Sequence, residues 1–159
     1  MRSRLSIAII VVVLGVAGGV IAMPSASGQT VLHVVFGPHP KTKVVDVHRD
    51  GLRLGDRIAG RGSLMNEDQT ERLGTTFVQC LTHRRIIDPN KGLWNCNYVL
   101  EFEDGDIMLQ GLDPRGPGDY EMAVLGGTGA YAGVNGDATF TDVGSDVDAY
   151  TDVVIRFSD

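Results

Sequence analysis

The chain has 159 residues, of which 43% are hydrophobic and 21% charged, and this composition excludes disordered and collagen-like proteins. The formal net charge of -6 excludes a basic surface that would hold nucleic acid or anionic lipid. The length suits one domain with a modest core.

The first 28 residues have the layout of a secretory signal peptide. Arg2 and Arg4 precede an apolar stretch from Leu5 to Met23, and the small residues of Pro24–Gly28 follow it. The apolar stretch is close to the roughly 20 residues that span a bilayer, so an uncleaved anchor is the alternative. We therefore expect residues 1–28 to direct export and residues 29–159 to form one domain that is secreted or otherwise extracytoplasmic.

The rest of the chain has the pattern of an all-β protein. Short runs rich in Val, Ile, Thr and aromatic residues are separated by Gly, Asp, Asn and Pro, and no window shows a sustained helical period. About eight strands could close an antiparallel barrel. In chain order, the predicted strands are Val31–Phe36, Lys43–His48, Asp56–Met65, Thr75–Arg84, Trp94–Phe102, Asp106–Leu112, Tyr120–Leu125, Gly136–Thr141 and Ala149–Phe157.

The two cysteines are predicted to form a disulfide. Cys80 and Cys96 lie on two predicted strands separated by the turn formers of Asp88–Gly92, and a hairpin centred near Asp88 would place them opposite each other. An even number of cysteines in an exported chain favours pairing. Closing a loop of about 15 residues would contribute roughly 3 kcal/mol. The alternative is a free, reactive Cys80.

A second hairpin is predicted at Asp104–Gly105, a pair that suits the positive φ angles of a type I′ turn. That turn would place Phe102 opposite Ile107 and Leu100 opposite Leu109. Alternate residues of the strand before the turn then share one apolar face, which we take to be the barrel interior. The residues of that strand on this face are Cys96, Tyr98, Leu100 and Phe102.

A glycine-rich stretch, Leu125–Gly136, invites comparison with a phosphate-binding loop. Such loops follow the first strand of a βαβ unit and open a helix, whereas this stretch lies late in the chain between two predicted strands. We therefore interpret it as a turn that needs glycine for close backbone approach. The histidines show no metal-ligand spacing either, so neither a metal nor a cofactor is expected; they are His33, His39, His48 and His83.

Three segments carry a resemblance to a known family: Leu54–Asp56, Arg72–Cys80, and Gly105–Gly111 followed by Ala123–Gly133. In order and spacing they resemble the allene oxide cyclase and dirigent superfamily of β-barrels. The resemblance implies an eight-stranded antiparallel barrel with an apolar cavity, often a homo-oligomer, that acts without a cofactor. Members cyclise a reactive lipid epoxide or steer radical coupling, and related bacterial barrels close rings in natural-product pathways.

The chain departs from the family at the positions that carry these activities. Leu32–Phe36 has no carboxylate where the plant cyclase has a Glu, and Arg61–Ser63 stand where an Asn is expected. Cys80 matches a cavity cysteine of the cyclase, but pairing with Cys96 would remove its thiol. The dirigent glycine motif usually ends in Ala-Arg-Gly, whereas this chain has Val134–Gly136. The known oxylipin and lignan reactions are therefore not expected.

Two functions remain open. In the first, the barrel binds an apolar small molecule and guides its ring closure or coupling, with Tyr98 as a hydrogen-bond donor that steadies developing charge. In the second, the protein is a secreted, non-catalytic module that binds a small molecule or a protein. A buried carboxylate with a shifted pKa in the pocket would favour the enzyme, and an aliphatic cavity without polar groups would favour the binding module. The residues predicted to line the pocket together with Tyr98 are Trp94, Leu100, Phe102 and Leu109.

Overall fold

A computed structural model of the chain describes residues 23–24, 30–37, 41–45, 54–82, 93–114, 118–144 and 149–158. Only Met23–Pro24 of the expected leader belongs to these ranges, and the turn expected at Asp88–Gly92 lies outside them. Within the described ranges, no helix is long and apolar enough to cross a membrane. The cleavage of residues 1–28 and the domain limits stay predictions.

The described residues form ten strands and one short 3-10 helix. Nine of the strands correspond to predicted ones, and the third begins two residues before its predicted start at Lys43 and is described up to Val45. The strands are β1 (Met23–Pro24), β2 (Thr30–Phe36), β3 (Lys41–Val45), β4 (Arg57–Met65), β5 (Arg72–Thr82), β6 (Trp94–Phe102), β7 (Gly105–Asp113), β8 (Asp119–Gly127), β9 (Gly136–Val143) and β10 (Tyr150–Phe157), and the 3-10 helix is Gly129–Tyr131.

Eight of these strands close into an antiparallel barrel, which confirms the predicted fold class. The sheet order is β1-β2-β10-β9-β8-β7-β6-β5-β4-β3, and β2 also pairs with β4. In that closing contact Val35 lies opposite Met65 and Phe36 lies opposite Leu64. β3 pairs with the same edge of β4, but at residues 57–61. This edge of β4 is therefore paired with β3 in its first half and with β2 at its end.

The alternation of β6 shows why this sequence folds as a barrel. Its side chains are buried at every second residue from Trp94 to Phe102, and the residues between them are half-buried or exposed. A period of two places the buried residues on one face of the strand. In a closed sheet that face is the interior. The interior face predicted from the apolar parity is confirmed.

The predicted disulfide is also present. Cys80 lies directly opposite Cys96 in the β5–β6 pair, their Cα atoms are 4.0 Å apart and their sulfur atoms are bonded. Both side chains are buried on the interior face. The alternative of a free, reactive Cys80 is therefore wrong.

The predicted register of the β6–β7 hairpin was wrong by two residues. Phe102 lies opposite Gly105 rather than Ile107, so the turn residues are Glu103–Asp104. Gly105 is needed for a different reason: its φ is 153°, and a Cβ there would overlap the carbonyl oxygen of Thr128. Because a slip of two residues leaves every side chain on its face, the predicted interior was right despite this error.

The glycine-rich segment closes the barrel end that carries this hairpin. The Thr128 backbone N–H donates to the Asp106 carbonyl (2.9 Å), and the Ala130 N–H donates to the Asp104 carbonyl (2.8 Å). The Tyr131 ring then lies between two strand ends. Its centroid is 5.3 Å from that of Phe102 and 6.4 Å from that of Phe157. Aromatic packing therefore plugs this end, which we call the closed end.

Replacing Gly129 with alanine is expected to lower the free energy of unfolding by at least about 2 kcal/mol, because it adds backbone strain to a direct overlap. Gly129 has φ 58°, and a Cβ would overlap the Asp104 carbonyl oxygen. Gly133→Ala is the matched control: its φ is 80°, but no atom lies within 4 Å of the added Cβ. Urea unfolding should show a loss of only about 1 kcal/mol for that variant. Equal losses would contradict the close contact.

Candidate functional site

The opposite end of the barrel, where the described residues leave a cavity, is called the open end below. Here β2, β5, β7 and β9 end and β4, β6, β8 and β10 begin, and all eight strands supply lining residues. The cavity volume is about 520 Å³, which is within the usual range for small-molecule sites. The lining residues that matter most below are Phe36, Thr76, Val78, Tyr98, Asp113, Tyr120 and Asp142.

One wall of the cavity is aromatic. Phe36, Tyr98 and Tyr120 line it, and the fully buried Phe140 packs against all three. The ring centroid of Phe140 is 5.6 Å from Phe36, 5.2 Å from Tyr98 and 5.1 Å from Tyr120. Rings at these separations form a rigid surface, and flat conjugated molecules pack well on such surfaces.

The two tyrosine hydroxyls form a polar group on that wall. The Tyr120 side chain is hydrogen-bonded to the Tyr98 side chain, and both residues line the cavity. Burial above all, and then the interactions with Tyr98, Asp113 and Asp142, raises the pKa of Tyr120 far above its ordinary value. Tyr120 therefore remains a neutral phenol, able to donate a hydrogen bond, throughout the neutral range.

A buried carboxylate lies beside this pair. Asp113 is the last residue of β7, is only 6% exposed, and lies opposite Trp94 in the β6–β7 register. Asp142 is nearer to solvent and accepts a hydrogen bond from the Thr151 hydroxyl (2.9 Å). Both carboxylates line the cavity. A carboxylate within a cavity can accept a proton from a bound molecule or return one to it.

Thr76 adds a buried hydroxyl to the interior of β5. Its side chain is 1% exposed and lines the cavity, and its Oγ1 has no hydrogen-bond partner among the described residues. The adjacent Thr75 differs, because its Oγ1 accepts a hydrogen bond from Arg72 Nη2 (2.9 Å). Leaving a buried hydroxyl unpaired costs about 1–3 kcal/mol.

Thr76→Val is expected to raise the free energy of unfolding of the ligand-free protein by about 1 kcal/mol or more, because it replaces an unpaired hydroxyl with a methyl group of similar size. Thr75→Val, the matched control, should lower it by about 1 kcal/mol because it breaks an existing hydrogen bond. Urea unfolding of both variants measures the difference. Equal destabilisation would show that the Thr76 hydroxyl already has a partner.

The predicted site residues are all in the interior, but at different depths. Tyr98 lines the cavity. The other four are buried in the core and are not among the described residues that line this cavity; they are Trp94, Leu100, Phe102 and Leu109. Contact between a ligand and any of the five stays a prediction. The alternation of apolar residues identified the interior face of each strand. It did not show how far along the barrel axis the packed core extends before the cavity begins.

Among the lining residues that were not predicted, three carry polar groups on the interior side of their strands: Thr76, Asp113 and Tyr120. A signal existed for two of them, because Thr76 has the parity of Cys80 on β5, and Asp113 continues the inward parity of Leu109 on β7. A carboxylate at an inward position of a barrel strand is uncommon, since buried charges need a partner or a function. Tyr120 had no signal beyond its place in an apolar strand.

The described residues show no metal centre. No three His, Cys, Asp or Glu side chains in the described part of the chain are grouped so that they could hold a metal ion. His33 lies on the outer face of β2, where Nε2 is 2.5 Å from Asp152 Oδ1 and Nδ1 is 3.3 Å from Glu67 Oε2. That histidine joins β2 to β10 and to the β4–β5 turn.

Comparisons with known proteins identify the fold. No protein-family model matches the sequence, and none of the curated proteins matches it. Among solved structures, a pyocyanin demethylase aligns with a TM-score of 0.65 and 20% identity over 80% of this chain and 99% of its own. A pterocarpan synthase dirigent protein aligns with a TM-score of 0.63 and 21% identity, over 81% and 94%.

A third solved structure is the Diels–Alderase AbmU from Streptomyces koyangensis. It aligns with a TM-score of 0.59 and 12% identity, over 84% of this chain and 71% of its own. Identities this low show a common fold and not a common reaction. The chain therefore shares its eight-stranded barrel fold with these solved structures, one of which is a dirigent protein.

Proposed function

We propose that the barrel binds a small molecule in the open-end cavity and guides its ring closure or coupling, without a cofactor as the sequence resemblance implies. The observation that carries the proposal is the position of a buried carboxylate, Asp113, in a cavity that also has an aromatic wall. Solved structures with this fold include a dirigent protein and a Diels–Alderase, which supports the same class of function.

Ring closure asks little of the protein beyond shape and a few polar groups. A flexible, unsaturated precursor packed against Phe36 and the two tyrosines would lose most of its unproductive conformations, which lowers the entropic part of the barrier. A phenol of the Tyr98–Tyr120 pair would donate to an oxygen that gains negative charge. Asp113 would take a proton from one atom of the precursor and return it to another, so that the product has the precursor's mass.

The alternative function, a non-catalytic binding module, would need only an aliphatic cavity. The described lining includes three tyrosines (Tyr98, Tyr120 and Tyr150) and two aspartates, which is more polar chemistry than retention of an apolar ligand requires. These groups favour the enzyme over the module. They also indicate that the ligand itself is amphipathic and not wholly apolar.

The test is conversion of a precursor from an organic extract of the host's culture fluid. Wild type, Asp113→Asn and Tyr98→Phe are incubated with the extract, and chiral liquid chromatography with mass detection follows each compound. Wild type should consume one compound and produce an isomer of equal mass, and Asp113→Asn should slow this by about 100-fold or more.

The control for this test is Asp119→Asn, which removes an exposed carboxylate at the same end of the barrel. Asp119 accepts a hydrogen bond from Thr141 (2.8 Å) and does not belong to the described lining. Its rate should equal that of wild type. If wild type converts nothing but retains an unchanged compound, the binding module replaces the enzyme as the function.

A further inference from the structure

The outer wall formed by β5, β6 and β7 has nine adjacent outward positions, three on each strand, and none of the nine residues is charged. At the chain's overall proportion of 21% charged residues, about two of them would be charged. These positions are the outward-facing residues of Phe77–Leu81, Asn95–Val99 and Met108–Leu112, and we call this surface the uncharged face.

The uncharged face has the composition of an interface core. Its four largest apolar side chains are between 36% and 46% exposed; they are Phe77, Leu81, Met108 and Leu112. The opposite wall carries ion pairs instead: Arg156 Nη1 lies 3.3 Å from Asp137 Oδ2, and His33 is hydrogen-bonded to Asp152. Interface cores are depleted in charge and enriched in aromatic and Met side chains, and contiguous exposed apolar surface marks interaction sites.

The pattern of β5 is repeated on β7, with β6 between them. On each of the two strands the outward residues are apolar, then an amide, then apolar, and the register places matching residues at the same levels. Phe77 is level with Met108, Gln79 with Gln110, and Leu81 with Leu112. A two-fold axis parallel to β6 would exchange β5 of one copy with β7 of a second copy and keep each level unchanged. The face is therefore complementary to itself.

This pairing of β5 with β7 gives chemically matched contacts. Phe77 of one copy would face Met108 of the other, and a thioether packs favourably against an aromatic ring. Gln79 would face Gln110, and each carboxamide can both donate and accept a hydrogen bond. Because the two-fold axis relates the copies, each of these contacts occurs twice.

The two flanks of the uncharged face carry opposite charges. Arg57 and Arg61 are exposed on β4, beside β5, whereas Glu121 is exposed on β8, beside β7. The same axis brings the β4 flank of one copy to the side of the β8 flank of the other, so opposite charges favour this orientation. Glu101 bounds the face toward the closed end, where solvent screens the repulsion between the two copies.

We propose that two copies of this chain form a dimer through the uncharged face, about a two-fold axis parallel to β6. Strands lie about 4.8 Å apart and alternate residues about 6.6 Å apart, so the face covers about 300 Å² in projection. With its flanks, such a dimer belongs at the small end of specific interfaces, about 1,200 Å² in total. The expected dissociation constant is about 10–100 µM. The dimer does not involve the cavity, so its absence would leave the proposed function unaffected.

Sedimentation velocity of the protein purified from its own host's culture fluid tests the dimer at concentrations from about 1 to 300 µM. Wild type should change from monomer to dimer over this range. Phe77→Glu and Met108→Lys should each stay monomeric, an affinity loss of at least about tenfold, because each would bury a charge against an apolar side chain. Both side chains are exposed in the single chain, so both variants should fold.

An equimolar mixture of the two variants tests the pairing of β5 with β7. The carboxylate introduced in one variant would face the ammonium introduced in the other, and the second contact between Phe77 and Met108 would be intact. The mixture should therefore form a dimer with an affinity within about tenfold of wild type. Leu54→Glu is the matched control: Leu54 is 68% exposed, lies before β4 and outside the face, and its variant should dimerise as wild type does.

Three results would overturn the dimer as described. Wild type could stay monomeric over the whole range, including the case in which a different protein co-purifies with it. Both variants could dimerise as wild type does, or their mixture could stay monomeric. Circular dichroism checks the fold of each variant. If either is unfolded, the same exchange in the next apolar row, Leu81→Glu with Leu112→Lys, decides in its place.

Discussion

Val78→Trp is expected to weaken ligand binding by at least about 100-fold, which corresponds to about 2.7 kcal/mol. Val78 lies in the middle of the β5 wall, is 8% exposed, and faces the cavity opposite Tyr98 in the β5–β6 register. An indole ring at this position would occupy the space that the ligand needs. Because open space is available, the added ring would be buried without the usual cost of overpacking.

Val99→Trp is the control for this prediction, because it makes the same change on the outer face. Val99 lies opposite Phe77 on one side and Met108 on the other, and both of these side chains are exposed. The small molecule that wild type retains should be lost in Val78→Trp and kept in Val99→Trp. Retained binding in Val78→Trp would show that the ligand lies outside this cavity.

Replacing Cys80 and Cys96 together with alanine is expected to lower the free energy of unfolding by about 3 kcal/mol. The bond joins residues 16 apart in sequence, and a cross-link across a loop of this length restricts the unfolded chain by about that amount. Alanine is preferred to serine here because both positions are buried.

Urea unfolding of the oxidised wild type, the reduced wild type and the double variant measures this effect. The last two should be destabilised by similar amounts. A loss below about 1 kcal/mol in both would show that the disulfide contributes little. An intramolecular disulfide of this kind is typical of proteins outside the cytosol. Export itself stays a prediction.

The barrel could be predicted because each strand carries its fold signal locally. In β6, apolar residues alternate with polar or less buried ones from Trp94 to Phe102. This pattern assigns every second side chain to the interior without knowledge of the strands that pair with β6. The Cys80–Cys96 pair then followed from the parity and from the turn formers between the two strands. A pattern that repeats every two residues still assigns each side chain to the correct face when the predicted register is wrong by two residues, as in the β6–β7 hairpin.

The hairpin turn could not be predicted because its decisive contact is distant in sequence. Asp104–Gly105 resembles a two-residue turn, but Gly105 is required by the approach of Thr128, which lies 23 residues later. The same long-range contact places Tyr131 over Phe102 and plugs one end. Without that information, no local pattern shows which end of the barrel stays open.

The candidate site was therefore only partly predictable. Tyr98 was selected because it is a polar residue on the interior face, and it does line the cavity. Phe102 shares its parity but lies at the plugged end, so the same rule selected a core residue. Asp113 and Thr76 matter because the cavity reaches them, and the depth of a cavity depends on side chains from all eight strands.

The most direct test of a small-molecule site in the barrel is native mass spectrometry of the protein purified from its own host's culture fluid, with extraction of any bound compound. Wild type should carry one small molecule per chain, and Val78→Trp from the same culture conditions should carry none. A wild-type protein that carries no compound, or a compound that Val78→Trp retains equally, would contradict a small-molecule site in the open end of the barrel.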